Sequence, residues 1–220
     1  MDMKVINRIL CLVLALAPAS SCTFFRVGSD VLDTVGESLE EAFDSEFSDT
    51  LDSQVQMADI VRQTGRFDEF ECNIPAKVRY TRAEESSVHI SVPVELERRV
   101  VVSNEEGRLV VSIAGRVKDK PGRNPEVWLS SPSLREVELN GAASFESVSP
   151  IEAPDFSMEV NGAASFVLDS LRAKKVDVCL NGAASGKISG LDAAELALSI
   201  AGAGKVTVKG HSGSAAIEVA

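Results

Sequence analysis

Aromatic side chains are scarce in this chain: they make up 5% of its 220 residues, with one Trp and one Tyr beside nine Phe. Any interior it builds is therefore aliphatic, and the large aromatic anchors that dominate many binding surfaces are few. Only two His are present, which leaves little room for imidazole-based acid–base chemistry. A single Trp and a single Tyr argue against a stacking platform for nucleic-acid bases. Basic residues are outnumbered as well: 22 Lys and Arg face 33 Asp and Glu, for a net charge of −11. Contact with a phosphate backbone needs the opposite balance, so nucleic acid is excluded as a partner. No motif for a cofactor or a metal is present, and no residue is assigned a catalytic role.

What charge there is lies unevenly. Between Val27 and Val61 stand ten acidic residues (Asp30, Asp33, Glu37, Glu40, Glu41, Asp44, Glu46, Asp49, Asp52, Asp59) and no Lys or Arg. The remainder is close to neutral, so the acidity belongs to one segment.

The first residues read as an export signal. Lys4 and Arg8 precede a short apolar run, Ile9 to Leu16, and then the small residues Ala17, Pro18, Ala19, Ser20 and Ser21. The run is far shorter than the roughly 20 residues a membrane-spanning helix needs. Two cleavage sites compete. Ala19-Ser20-Ser21-Cys22 resembles a relaxed bacterial lipobox, which would make Cys22 the lipidated N-terminus and the membrane a partner through that lipid. Ordinary cleavage after Ala17-Pro18-Ala19 is the alternative. Acyl chains contribute about 0.8 kcal/mol per buried methylene, so several of them would anchor the chain firmly.

Residues 22–63 form an acidic spacer. Val31, Val35, Leu39, Phe43, Phe47, Leu51 and Val55 recur every four positions, which suggests helix, but each step of four overshoots a full turn by about 40°. The stripe wanders, so short helical pieces are expected, not one rod. The segment is either a solvated spacer or a cover for the open end of the domain that follows.

Residues 64–220 are expected to form that domain, and its second half repeats itself. Leu134 opens a rung ending in Asn140-Gly141-Ala142-Ala143-Ser144. Phe156 opens one ending in Asn161-Gly162-Ala163-Ala164-Ser165. Val176 opens one ending in Asn181-Gly182-Ala183-Ala184-Ser185, and a variant rung passes through Gly202. The glycines are spaced by 21, 20 and 20, a period that marks a stacked repeat. Ahead of each turn Val137 and Leu139, Met158 and Val160, Val178 and Leu180, and Leu198 and Ile200 alternate with Glu138, Glu159, Cys179 and Ser199. Period two means a strand with one buried face, so the second set should face outward. Asn and Gly accept positive φ and turn the chain, and Ala-Ala-Ser suits a crowded corner. A second short strand follows, carrying Phe145 and Val148, Val167 or Leu168, Ile188, and Val206 and Val208. Ile151, Leu171 and Leu191 mark a third apolar position. The expected fold is all-β: a right-handed, parallel β-helix-like solenoid with rungs of about 20 residues. The Asn side chains should stack and pass hydrogen bonds along its axis, as structure and not as ligand contacts. Leucine-rich and calcium-binding nonapeptide repeats fit less well. The first places its Asn three residues after the last Leu, and the second needs Asp at each turn.

Residues 66–113 lack the motif yet read as strands, through Phe67, Phe70, Cys72 and Ile74, Val78 and Tyr80, and Val88 to Val94. Val100 to Val102 and Leu109 to Ile113 follow, with a hairpin turn at Glu105-Glu106-Gly107. Residues 117–126 read as a loop, and Val127 and Leu129 restart a strand. Cys72 falls in the inward phase and Cys179 in the outward one. A bridge between them is geometrically awkward, so two free thiols are expected.

Several of these stretches together resemble a known family. They are Arg66-Phe67-Asp68-Glu69-Phe70, Asn104-Glu105-Glu106-Gly107-Arg108-Leu109, Ser131-Pro132-Ser133-Leu134, the Asn-Gly-Ala-Ala-Ser turns and Gly202-Ala203-Gly204-Lys205. Over about residues 65–220 the chain resembles the bacterial putative auto-transporter adhesin, head GIN domain family, found among Bacteroidetes envelope lipoproteins. The resemblance implies a stack of strands, export often with lipidation, and no catalytic residue; a fold alone does not imply a function.

Three functions follow as expectations. A lipid-anchored, non-catalytic envelope protein would present its solenoid to a glycan or an envelope protein. A polysaccharide-acting enzyme would need close carboxylates, for which stacked Glu138 and Glu159 are the available pair. A structural module would self-associate through an exposed strand edge, which Ile217-Glu218-Val219-Ala220 leaves open. His89, His211, Lys174 and Lys175 belong to no motif, and Trp128 reads as strand packing or as a sugar platform.

Overall fold

A computed structural model describes residues 55–115 and 124–220 and, as backbone, residues 24–27. The signal segment, Cys22, the four-spaced apolar residues from Val31 to Leu51 and most of the loop at 117–126 lie outside the described residues.

The repeat is most regular in its middle, where each rung follows one pattern. β9 (Glu136–Gly141), β12 (Asp155–Gly162), the later part of β14 (Leu171–Asn181) and that of β15 (Ser185–Ala201) stack as parallel neighbours in unbroken register. Val137, Leu139, Met158, Val160, Val178, Leu180, Leu198 and Ile200 all point inward and are buried, as the alternation requires. The chain then turns at Asn-Gly into β10 (Ser144–Ser147), β13 (Ser165–Leu168), the start of β15 and the start of β16 (Lys205–Val219), which stack in parallel on a second side. A short third side holds β11 (Ile151–Glu152) against the start of β14. Between the sides runs one continuous core, in which Phe145, Phe156 and Phe166 are the largest side chains of the repeats. The result is a parallel β-solenoid. Parallel strands two rungs apart never pair, so each rung is stabilised by its neighbours alone.

A rung that the repeat motif does not reveal lies under the first one. β3 (Glu69–Cys72) pairs with β9 and β4 (Lys77–Arg82) pairs with β10, both in parallel. Glu71-Cys72-Asn73-Ile74-Pro75-Ala76-Lys77-Val78 thus stacks on Glu138-Leu139-Asn140-Gly141-Ala142-Ala143-Ser144-Phe145, with Ala76 and Ala143 both fully buried. The intervening chain folds back to close this end. β8 (Glu126–Ser131) continues the second side parallel to β4; β5 (Ser87–Pro93) and β2 (Met57–Gln63) add to it antiparallel. β7 (Arg108–Ile113) continues the first side parallel to β3, and β6 (Val100–Glu105) returns along it. The hairpin between β6 and β7 turns at Glu106 and Gly107, both at positive φ (53° and 89°), where the sequence places it. At the other end of the stack β1 (Phe24–Val27) runs antiparallel to Val206–Lys209 of β16.

Two expectations need correction, at Val148 and Cys179, and a third falls mostly outside the described residues. The described parts of residues 22–63 hold two strands, β1 against β16 and β2 against β5, where Ile60 joins the core, while the four-spaced stretch expected to hold helical pieces lies outside the described residues. Val148 does not face inward; β10 ends at Ser147 and leaves Val148 52% exposed in the turn that follows. Cys179 occupies the outward phase but is buried, since Glu159, Ser199 and Asn181 surround it. Cys72 is buried in the core and both thiols are free.

Candidate functional site

Parallel, in-register stacking turns every outward position into a row of like positions about 4.8 Å apart. On the first side one such row is Asn73, Asn140, Asn161 and Asn181. Asn140 Nδ2 donates to Asn73 Oδ1 (2.8 Å), Asn161 Nδ2 to Asn140 Oδ1 (3.1 Å) and Asn181 Nδ2 to Asn161 Oδ1 (3.0 Å). The same amides also reach back two residues, to Glu71, Glu138, Glu159 and the Cys179 sulfur. The Asn of the repeat therefore form a ladder in which the amide nitrogens donate from rung to rung and back along their own strands, and Asn73 extends it by a rung. The glycines beside them turn the corner at φ of 94°, 124°, 121° and 114° for Gly141, Gly162, Gly182 and Gly202.

Next to the ladder lies a row of carboxylates governed by one cation. Arg108 of β7 donates through Nη1 to Glu69 (2.8 Å) and Glu136 (2.9 Å), through Nε to Glu71 (2.9 Å), and through Nη2 to Glu138. Arg135 bonds Asp68 (2.8 Å) and Glu69. These side chains are 12–21% exposed apart from Asp68 and Arg135, so the charges are only partly screened by water. Burial alone would lower the Arg108 pKa, but its hydrogen bonds to Glu136, Glu69 and Glu71 outweigh that and raise it above the usual range. A groove of about 780 Å³ opens beside the cluster, lined by Glu71, Ser103, Glu105, Glu106, Arg108 and Val110. Glu138 and Glu159 are register neighbours, as the stacking implied. Glu138 is engaged by Arg108 and Asn140, and Glu159 by Asn161. Glu138 thus belongs to the Arg108 charge network and Glu159 to the Asn ladder, arrangements that hold strands together. No three His, Cys, Asp or Glu side chains are placed to hold a metal among the described residues.

The second side carries different chemistry. There the register aligns Val61, His89, Trp128, Arg79, Glu146, Val167 and Lys187 in one outward row across β2, β5, β8, β4, β10, β13 and β15. Trp128 is half-buried on the outer surface, whereas Phe67, Phe70, Tyr80, Phe145, Phe156 and Phe166 are all inside. The His89 ring stacks on the indole with centroids 4.8 Å apart and planes 20° from parallel. His89 Nε2 lies 3.0 Å from Asp59 Oδ1. The hydrogen bonds from His89 and Ser91 hold the Asp59 carboxyl below its ordinary value. Arg79 bridges Glu126 (3.2 Å) and Glu146 (3.5 Å). Sequence reasoning placed Trp128 in a strand but could not pair it with His89, because antiparallel neighbours far apart in the chain leave no periodic trace.

The match to known proteins agrees with this architecture. Residues 66–212 match the model of the family described as putative auto-transporter adhesin, head GIN domain. No curated protein matches the sequence. Among solved structures, a putative adhesin from Parabacteroides distasonis superimposes with a TM-score of 0.67 at 20% identity, covering 71% of this chain and 67% of that one. A putative adhesin from Parabacteroides merdae gives 0.58 at 14% identity over 75% of this chain and 96% of its own. One from Bacteroides fragilis gives 0.51 at 12% identity over 75% and 97%. At these identities the superpositions speak for the fold. With the family model covering the repeats, the first rung and most of the cap, the chain belongs to the putative auto-transporter adhesin, head GIN domain family.

Proposed function

We propose that this protein is a non-catalytic, adhesin-like component of the bacterial cell envelope, exported, lipid-anchored through Cys22, and binding a glycan or an envelope protein with an outer face of its solenoid. The observation that carries the non-catalytic reading is the fate of the outward carboxylates. The pair available for hydrolysis, Glu138 and Glu159, is tied into the Arg108 cluster and the Asn ladder, while general acid–base catalysis needs a carboxyl within reach of a substrate proton. Export and anchoring rest on the Lys4–Cys22 sequence. An anchor at the β16 end of the stack is supported by β1, which begins two residues after Cys22 and pairs with β16. A lipid there tethers the β16 end of the stack and turns the β2–β5–β8 end, about 30 Å away by strand count, toward the surroundings.

Fatty-acid labelling and fractionation test the anchor. The wild type should carry label and pellet with membranes, and Cys22→Ala should lose both; a labelled, membrane-bound variant refutes anchoring. For the binding domain, protein beginning at Thr23 is incubated with envelope extract and mucin glycans. Retention without release of new reducing ends supports the reading, and glycan cleavage abolished by Glu138→Gln refutes it.

A further inference from the structure

The outer surface of the cap sets the only outward-facing Trp, Tyr or Phe side chain among residues 55–115 and 124–220 on a rigid base. Trp128 stands on β8, whose neighbouring positions Val127 and Leu129 are buried in the core, as are Val88 and Ile90 of β5 and Val78 and Tyr80 of β4. The indole is thus fixed from below on three paired strands. An apolar ring held at a solvent surface by a packed sheet loses little freedom on binding. Its neighbours are planar hydrogen-bonding groups that stay accessible: the side chains of His89, Arg79 and Asp59 are 41%, 40% and 62% exposed. They are engaged with one another: His89 Nε2 lies 3.0 Å from Asp59 Oδ1, and Arg79 bridges Glu126 and Glu146. The three carboxylates repel a strongly anionic ligand, and their bonds to His89 and Arg79 leave them partly engaged toward a cationic one.

We infer that Trp128, with His89 stacked on one face of its indole and Asp59 and Arg79 nearby, forms a binding site for a neutral carbohydrate, one sugar ring resting its C–H face on the part of the indole that His89 leaves uncovered. The chemistry is matched on both counts. The weakly polar face of a pyranose packs on an aromatic ring, and its rim of hydroxyls both donates and accepts, as Asp59, Arg79 and the His89 ring require. This site deepens the adhesin-like reading and rests on it, and it sits at the end of the stack that an anchor at Cys22 turns outward.

Trp128 is the sole Trp of the chain, so its fluorescence reports on the site directly. Protein beginning at Thr23 is titrated with cello-, malto-, xylo- and manno-oligosaccharides and with neutral mucin-type O-glycans, following Trp emission and calorimetric heat. Trp128→Ala, Trp128→Phe, His89→Ala and the remote control Glu105→Gln are measured alongside. At least one neutral glycan should shift the emission. Trp128→Ala should weaken its binding about thirtyfold or more, as expected for a central aromatic anchor. Trp128→Phe should weaken it less, His89→Ala should fall between, and Glu105→Gln should match the wild type. Glycan binding without an emission shift and unaltered in Trp128→Ala overturns this site while leaving an adhesin-like protein. Binding of an envelope protein or a charged polymer but of no neutral glycan does the same. If neither a glycan nor envelope material binds, the site and the adhesin-like reading fall together.

Discussion

Substituting the corner glycines by alanine should cost very different amounts although the local sequence is nearly identical. All four sit at φ between 94° and 124°, where an L side chain is strained by about 1–3 kcal/mol. Their surroundings differ. A Cβ at Gly141 would have no atom within 4 Å, because the rung beneath turns through Ile74-Pro75 instead. A Cβ at Gly162 would lie 2.6 Å from the Gly141 carbonyl oxygen, and one at Gly182 2.7 Å from that of Gly162. Those contacts are backbone against backbone and cannot be relieved by a rotamer change. Forcing the rungs apart adds an overpacking cost of about 1–3 kcal/mol. Gly141→Ala should therefore lose about 1–3 kcal/mol and Gly162→Ala roughly 2–6 kcal/mol. Urea unfolding of protein beginning at Thr23, followed by circular dichroism with a shared m-value, measures both. Equal losses at the two sites, or a Gly162→Ala variant as stable as the wild type, would refute the claim that the repeat turns are spaced by direct glycine-on-carbonyl contact.

Other consequences are open to measurement. Asn161→Ala severs its links to Asn140, Asn181 and Glu159 and should cost about 2–3 kcal/mol at about 1 kcal/mol per bond; Asn181→Ala, at the end of the ladder, should cost less, and equal urea midpoints would speak against a cooperative ladder. Arg108→Ala leaves four half-buried carboxylates facing one another and should lose about 2–3 kcal/mol at neutral pH, between the values for exposed and buried pairs. The repulsion left behind should be partly screened by salt, and a deficit that does not change between low and high salt contradicts the charge network. Burial raises the Cys72 thiol from its ordinary 9.0 to about 11 and moves the Tyr80 phenol in the same direction. The stability this confers is whole below pH 9 and is lost as pH rises toward 11, because only the unfolded chain ionises freely there. Cys72→Ala should flatten that part of the stability profile; an unchanged slope would count against thiol burial as its cause.

Much of the solenoid was legible because its repeats are short and near-identical. Ahead of each turn, from Val137 and Leu139 to Leu198 and Ile200, inward and outward residues alternate, so the inward face of that side could be read residue by residue. The Asn-Gly pairs named the corner, and Ile151, Leu171 and Leu191 marked the third side. The rung at Glu71–Val78 escaped because its corner uses Ile74-Pro75 in place of Gly-Ala, leaving only Glu71, Asn73 and Ala76 identical to the rung above. Cys179 was legible in direction but not in burial, since its cover comes from flanking rungs and from Asn181. The Arg108 cluster was invisible for a further reason: its partners Glu69, Glu71, Glu136 and Glu138 come from two other strands, and a chain fold-back places the cation opposite them. The same holds for His89 on Trp128. Each of these sites is made by long-range register, which a one-dimensional pattern does not encode, whereas local alternation and turn chemistry are encoded wherever they occur.

The central claim is that a stack of strands is anchored at its β16 end and presents its far end to the surroundings. Energy transfer in vesicles tests it most directly. Lipidated protein extracted from membranes is reconstituted after labelling Val61→Cys or Val219→Cys, positions 61% and 54% exposed in β2 and β16. Cys72 and Cys179 are buried and stay unlabelled in the folded protein. The two positions are about 35 Å apart along the stack by strand count. With an acceptor in the lipid headgroups, the label at Val219 should be strongly quenched and the one at Val61 weakly. Equal quenching, reversed quenching, or failure of the protein to associate with vesicles would contradict the account.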